Sequence, residues 1–208
     1  MQRIAVFASG RGSNFISLFS AAQAERFPGS IVLLASDKAD AGAVAFAKEN
    51  AIETFVLDSE KSKGKLSLAE EIAFRDVCLN AKVDWICLAG FMRILRGPLL
   101  EAFEGRILNI HPALLPSFPG LDSQTQAFEY GSKLAGCTVH FVDAGVDTGP
   151  IVAQRAVTVL DEDSPQDLAH RILEQEHLIY PEALARLFNE SWSRQGRRIV
   201  FANRKESS

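Results

Sequence analysis

Cysteine, methionine, tryptophan and tyrosine are all scarce in this chain of 208 residues, with three, two, two and two copies. Cys78, Cys87 and Cys137 are odd in number and lack ligand spacing, which excludes a disulfide scaffold and a cysteine-built zinc site. Cys87 and Cys137 sit in apolar, strand-like runs and Cys78 in a helix-like one. They read as buried free thiols of a reducing compartment. No apolar run exceeds strand length, so no membrane span is expected. The opening Met-Gln-Arg-Ile-Ala-Val-Phe lacks a signal-peptide layout, and the expected location is the cytoplasm. An excess of basic charge is missing too: 22 Lys and Arg face 26 Asp and Glu, a net −4. That disfavours nucleic acid as the principal partner. The four histidines, 111, 140, 170 and 177, have no metal-ligand spacing, so no metal is expected, and His170 and His177 read as helix-surface residues. Repeats, low-complexity tracts and long linkers are absent. A single domain over 1–208 is expected, divided near residue 100, with 191–208 as a C-terminal extension. Its basic pairs, Arg197-Arg198 and Arg204-Lys205, read as a solvated tail.

What is present is an alternation. Ile4–Ala8, Ile31–Ala35, Thr54–Leu57, Trp85–Ala89 and Ile107–Ile110 are continuous apolar runs of strand length, as in a parallel sheet covered on both faces. Between the first two, Phe15, Leu18, Phe19 and Ala22 recur at helical spacing. Ala43–Glu49 and Leu66–Ala81 supply further helices, the latter with Leu68, Ile72, Val77 and Leu79 for core contacts. The spacing predicts an α/β fold, a doubly wound, mostly parallel sheet with helices on both faces. Later, Thr138–Val142 and Ile151–Arg155 flank a turn-rich stretch. A helix then starts at Ser164 as N-cap, with Pro165 in the first position and Asp167 three past the cap.

The chemistry concentrates in Leu108-Asn109-Ile110-His111-Pro112. Period-two alternation puts Asn109 and His111 on one side of a strand, and Pro112 ends regular pairing there. An amide donor beside an imidazole suits reaction at a carbonyl, one holding an oxyanion while the other moves a proton. Ser9-Gly10-Arg11-Gly12-Ser13-Asn14 leads from the first strand into a helix. That is an anion site for a phosphate monoester, a dinucleotide site in which Asp37 would hold a ribose, or a plain tight turn in which Ser13 and Asn14 are caps. Phe15 at the third glycine position weighs against the dinucleotide. Asp147, in Asp-Thr-Gly-Pro150, is either a partner that raises and orients His111 or an Asx-turn residue. Glu176 falls on the apolar stripe of the helix after Ser164, where a carboxylate is costly unless used or paired in a salt bridge.

Taken together, Ser-Gly-Arg-Gly-Ser-Asn14, Leu-Ala-Gly-Phe-Met-Arg-Ile-Leu95, Asn109-Ile-His-Pro-Ala-Leu-Leu-Pro-Ser-Phe-Pro-Gly120, Thr-Val-His-Phe-Val142 and Asp147-Thr-Gly-Pro-Ile151 resemble the folate-dependent phosphoribosylglycinamide formyltransferase family. The likeness runs from Arg3 to about Leu187. It implies formyl transfer from 10-formyltetrahydrofolate to the amine of glycinamide ribonucleotide, with these two small molecules as partners, in a monomer or homodimer. It implies that Gly12, Ser13 and Asn14 hold the 5′-phosphate, that Glu176 lies near the glycinamide end, and that Asn109, His111 and Asp147 are the catalytic trio. Met92, Arg93, Ile94, Leu95, Arg106, Asn109, Asp143 and Asp147 would bind folate, with Thr138 and His140 supporting. The residues before about 100 would then be a phosphate-binding half and 101–190 a catalytic and folate half. Asp147 would keep His111 charged. The chain departs from the family at Leu173, where Lys or Gln is common, and at Lys63-Gly-Lys-Leu-Ser-Leu68, where the family carries Ser-Arg-Glu. Lys65 is the candidate anchor for the folate tail. Alternatives within the chemistry are another folate formyltransferase or a formyl-folate hydrolase. From other classes, a non-catalytic nucleotide-binding module would not need Asn109, His111 and Asp147 together, and a dinucleotide oxidoreductase is disfavoured by Phe15.

Overall fold

Alternation along the first strand sets the layering: Ile4 and Val6 face one side of the sheet, Ala5 and Phe7 the other, and all four are fully buried. A strand buried on both faces needs helices on both. The computed structural model describes residues 1–57 and 64–202, so Lys63 and the Arg204-Lys205 pair lie outside the described residues. In chain order the first elements are β1 (Gln2–Phe7), α1 (Ser13–Gln23), β2 (Gly29–Ser36), α2 (Gly42–Glu49), β3 (Glu53–Val56), α3 (Leu68–Asn80) and β4 (Trp85–Leu88). There follow α4 (Pro98–Ala102), β5 (Ile107–His111), α5 (Ser123–Glu129), β6 (Leu134–Phe141), β7 (Ile151–Thr158), α6 (Pro165–Asn189), β8 (Trp192–Gln195) and β9 (Arg198–Phe201).

Among the described residues these strands form one sheet in the order β3-β2-β1-β4-β5-β6-β7-β9-β8. Strands β1 to β5 are mutually parallel, as the apolar runs predict. β6 runs antiparallel to both β5 and β7, β9 is parallel to β7, and β8 is antiparallel to β9. On one face Phe15 and Leu18 of α1, Ala43 and Ala47 of α2, and Ile172 and Tyr180 of α6 share a core with Ile4 and Val6. On the other, Phe74 and Cys78 of α3 and Leu99 of α4 pack with Ala5 and Phe7. The chain winds outward through β2 and β3, then returns to place β4 on the far side of β1. That reversal opens a crevice at the carboxyl ends of β1 and β4, the usual ligand position in such sheets. Ser9 ties its rims: its N–H donates to Gly90 O at 3.1 Å, and its Oγ accepts from Met92 N–H at 2.9 Å.

The start of α6 follows the predicted signals, with a reciprocal capping box between Ser164 and Asp167 and Pro165 in the first turn. Further along, the buried Tyr180 hydroxyl lies 3.1 Å from both Leu88 O and Leu108 O, pinning the helix to β4 and β5. Two expectations are corrected. In α3 the leucines at 68 and 79 are 66% and 51% exposed, and the buried residues are Glu71, Phe74 and Cys78. Phe74 decides the rotation, because its ring packs on Phe7, Phe55 and Phe91 with centroids 5.3–5.8 Å apart. The second correction concerns Arg197-Arg198, which is not tail. β8 and β9 form a hairpin about Gly196 that extends the sheet, Trp192 packs on Phe141, and Arg197 donates to Thr148 O at 2.6 Å. The half-buried face of this hairpin comes from a run too short to show periodicity beside its arginines.

Candidate active site

Gly12 is the N-cap of α1 with φ +80°, a left-handed conformation that suits glycine. A Cβ there would stand 2.8 Å from Ala43 Cβ, so contact with α2 also excludes a side chain. Gly10 has open space around its Cα. No side chain caps the helix. Asn14 turns inward instead and donates from Nδ2 to Glu176 Oε2 at 2.6 Å, across 162 residues of sequence. Both side chains are buried, and Asn14 Oδ1 has no partner. Phe15, fully buried, packs edge-on to Phe46.

Strand pairing assembles the polar cluster. β5 presents Asn109 and His111 with one residue between them, and its antiparallel register with β6 sets His140 opposite Asn109 and Thr138 opposite His111. Directly opposite residues share a face, so the two imidazoles and the amide converge. The loop after β6 brings in the carboxylate. Asp143 Oδ1 accepts from Gly145 N–H at 3.0 Å and from Thr148 Oγ at 2.6 Å, so the Asx-turn belongs to Asp143. Gly149 lets the loop fold back, since a Cβ there would lie 1.7 Å from Phe141 O. Asp147, at φ +53°, is thereby free to reach across. Its Oδ2 lies 3.4 Å from His111 Nδ1 and accepts from Gly120 N–H at 2.8 Å. Its Oδ1 lies 3.6 Å from His140 Nε2 and 3.5 Å from Asn109 Nδ2. Asn109 Nδ2 is also 3.3 Å from His140 Nε2. On its other side, the His111 ring donates from Nε2 to Phe118 O at 2.9 Å.

Burial dominates the titration of the cluster. It pushes the His111 imidazole below its usual range, and it outweighs the Phe118 carbonyl and the Asp147 charge, which pull the other way. The expectation that Asp147 keeps His111 charged is therefore corrected for the free protein. His111 is 4% exposed, and desolvation disfavours the imidazolium more than the Phe118 carbonyl and the carboxylate 3.4 Å away restore it. Asp147 is also buried, which alone would raise it. The Gly120 N–H bond and the His140 imidazole 3.6 Å away, with the His111 ring beside them, overcome that and hold it below the usual carboxylate range. Burial pushes Glu176 up to about 7, against the pull of Asn14.

A cleft of about 500 Å³ joins these groups. Asn14, Met92, Arg93, Ile94, Leu95, Asn109, His111, His140, Asp143, Asp147 and Glu176 all line it. Gly12 and Ser13 are not among its lining residues, although Arg11 and Asn14 on either side of them are; they open α1, where helix N–H groups are unpaired. Arg106 is not brought to it. This residue precedes β5, at the opposite end of the strand from His111, and its guanidinium donates to Ala102 O and lies over the Phe103 ring. Thr138 is fully buried behind the cleft, donating to Ala113 O and accepting from Leu115 N–H, so it fixes the chain that follows His111. The Arg93 side chain turns from solvent toward Asp37 and Glu70, at 3.9 and 3.6 Å. Lys65 pairs with Ile94 as an isolated bridge, its side chain exposed. Leu173 lines the cleft. Sequence reasoning missed Arg11 and His170 in the lining, and the buried carboxylate of Glu71 behind it. A charged residue on the apolar stripe 71, 74, 78 is the same signal that singled out Glu176. Among the described residues no group of His, Cys, Asp and Glu is arranged to hold a metal ion, and no helix is long and apolar enough to cross a membrane.

Comparison with known proteins places this architecture. Residues 2–184 match the family described as Formyl transferase. The phosphoribosylglycinamide formyltransferase of Bacillus subtilis is 41% identical over 187 residues, covering 90% of this chain and 95% of that protein. The trifunctional purine biosynthetic protein adenosine-3 of Drosophila melanogaster is 43% identical over 190 residues, but the match spans only 14% of its length. The crystal structure of glycinamide ribonucleotide transformylase 1 from Symbiobacterium toebii superposes with a TM-score of 0.92 at 44% identity, over 98% of this chain and 95% of that one.

Proposed function

The chain belongs to the formyl transferase family and is an enzyme that formylates glycinamide ribonucleotide in purine biosynthesis, and we propose that its cleft does so with Asn109, His111 and Asp147 as the reacting groups and 10-formyltetrahydrofolate as cosubstrate. The observation that carries this reading is the single carboxylate, Asp147, set between His111, His140 and Asn109 inside a cleft that also holds Glu176. A nucleotide-binding module has no use for that convergence.

The cosubstrate supplies an activated formyl carbon, and its flat ring fits walls formed by Met92, Ile94, Leu95 and Val146. The ribonucleotide's phosphate meets the N–H groups of Gly12–Asn14 and the dipole of α1. Its amine lies toward Glu176. Attack of the neutral amine on the formyl carbon places negative charge on the formyl oxygen. Asn109 Nδ2 stabilises it, and so does His111 once a proton on Nδ1 makes it an imidazolium while Nε2 keeps its bond to Phe118 O, each such donor contributing about 3–4 kcal/mol. The Asn109 contacts, at 3.3 and 3.5 Å, are long enough to be exchanged for a shorter bond to the oxyanion. Asp147, held ionised, accepts through a water the proton that the amine loses and returns it to the departing folate nitrogen. To Lys65, whose backbone pairs with Ile94, we assign the anionic tail of the folate. The free, buried thiols of Cys78, Cys87 and Cys137 agree with a reducing compartment, and we assign the enzyme to the cytoplasm.

Asp147→Asn tests the assignment. Turnover should fall about 10²- to 10⁴-fold, the range for a positioned acid–base group, while both substrates bind nearly as before. The His111 imidazole, followed by NMR, should titrate lower still, because a nearby negative charge has gone. Near-normal turnover in the folded variant removes Asp147 from the mechanism.

A further inference from the structure

Glu71 is 3% exposed, one turn into α3, and no step above uses it. Its Oε1 accepts the Arg96 N–H and its Oε2 the Leu99 N–H, the latter at 3.2 Å. Arg96 directly follows the cleft-lining run Met92–Leu95, and Leu99 belongs to the first turn of α4. That turn starts at Gly97, which has no side chain to cap it, so the Glu71 carboxylate satisfies an N–H that the helix leaves open. Two further contacts hold the same segment: Gly64 O accepts the Ile94 N–H at 2.9 Å, and Glu70 lies 3.6 Å from the Arg93 guanidinium. The segment that lines the cleft is thus held from behind by the buried Glu71 of α3 and tied along its length to residues 64 and 70.

We propose that Glu71 is a positioning residue for the formyl donor: by fixing the backbone of residues 92–99 it sets the affinity for the folate without touching it. This rests on the reading that Met92–Leu95 form a wall of the folate pocket. A flat ring recognised by backbone groups needs them held to within about half an ångström, and a two-oxygen acceptor that clamps two successive turns of chain does so. A merely space-filling side chain at 71 would not need to be charged. Burial raises the Glu71 carboxyl, the Arg96 and Leu99 N–H groups work against that, and nearby Glu101 adds to the rise, so the group is kept at a cost to the fold.

The test compares Glu71→Ala and Glu71→Gln in the whole protein. In the alanine variant KM for a formyl-folate analogue should rise about 10- to 100-fold, the worth of a charge-assisted hydrogen bond or two, with kcat and the ribonucleotide KM nearly unchanged. Glutamine keeps one acceptor oxygen and should fall between. Amide hydrogen exchange at Arg96 and Leu99 in the free protein should speed up in the same order. If alanine prevents folding, the glutamine variant decides on the same readouts. Unchanged folate KM and exchange in a folded variant, or an equal rise in both KM values, overturns the proposal. The wild-type protein separates it from the reading beneath: if wild type does not bind the analogue, the folate pocket is wrong, whereas analogue binding that is equal in wild type and variants defeats Glu71 alone.

Discussion

At Glu176, burial and use pull in opposite directions. The residue is 6% exposed, Asn14 donates a hydrogen bond to it, and desolvation raises its carboxyl to about 7. An unfolded chain releases this proton near pH 4.5, while the folded protein keeps it until about 7. The group's contribution to stability is therefore complete below the lower value and is lost as pH rises through the upper one. Ionising it in place costs on the order of 3 kcal/mol. Glu176→Gln should accordingly be more stable than wild type at pH 8 by up to that amount and indistinguishable at pH 4, read from urea unfolding at the two pH values. On the proposed reading that the substrate's amine lies toward Glu176, the same variant should also raise the ribonucleotide KM. Equal pH dependence in the two proteins contradicts a buried, raised carboxylate. Glu176 was legible in the sequence because a charge on an apolar stripe is conspicuous. Its donor, Asn14, was legible as a site residue but not in this role, because no local pattern joins positions so far apart.

At the scale of elements, the first turn of α1 depends on Gly12 for its packing against α2. Gly12→Ala forces a side chain into a left-handed backbone, costing about 1–2 kcal/mol, and drives its Cβ against Ala43. The melting temperature should fall and the first turn of α1 should shift. Gly10→Ala, in open space, should leave stability nearly unchanged. Comparable melting temperatures for the two variants contradict the geometry at Gly12. The parallel strands and the start of α6 could be read directly, since continuous apolar runs and capping residues are local signals. The partnership of Asn109 with His140 could not, because the β5–β6 register creates it. Arg106 was misplaced for a related reason. Nearness in sequence to Asn109 and His111 says nothing about which end of the strand faces the ligand, and strand direction puts Arg106 at the far end.

For the whole molecule, the cleft exists because chain reversal beside β1 and an antiparallel turn at β6 converge on one end of the sheet. Groups from residue 11 to residue 176 line it. The C-terminal hairpin, expected as a tail, completes the sheet and, through Arg197 and Thr148, braces the loop that carries Asp147. The most direct test of formyl transfer to the ribonucleotide follows the absorbance of a formyl-folate analogue with purified protein, with and without glycinamide ribonucleotide. Deformylation should require the ribonucleotide and match, mole for mole, the formylated product. Deformylation at the same rate without the acceptor would instead reveal a hydrolase and contradict the account.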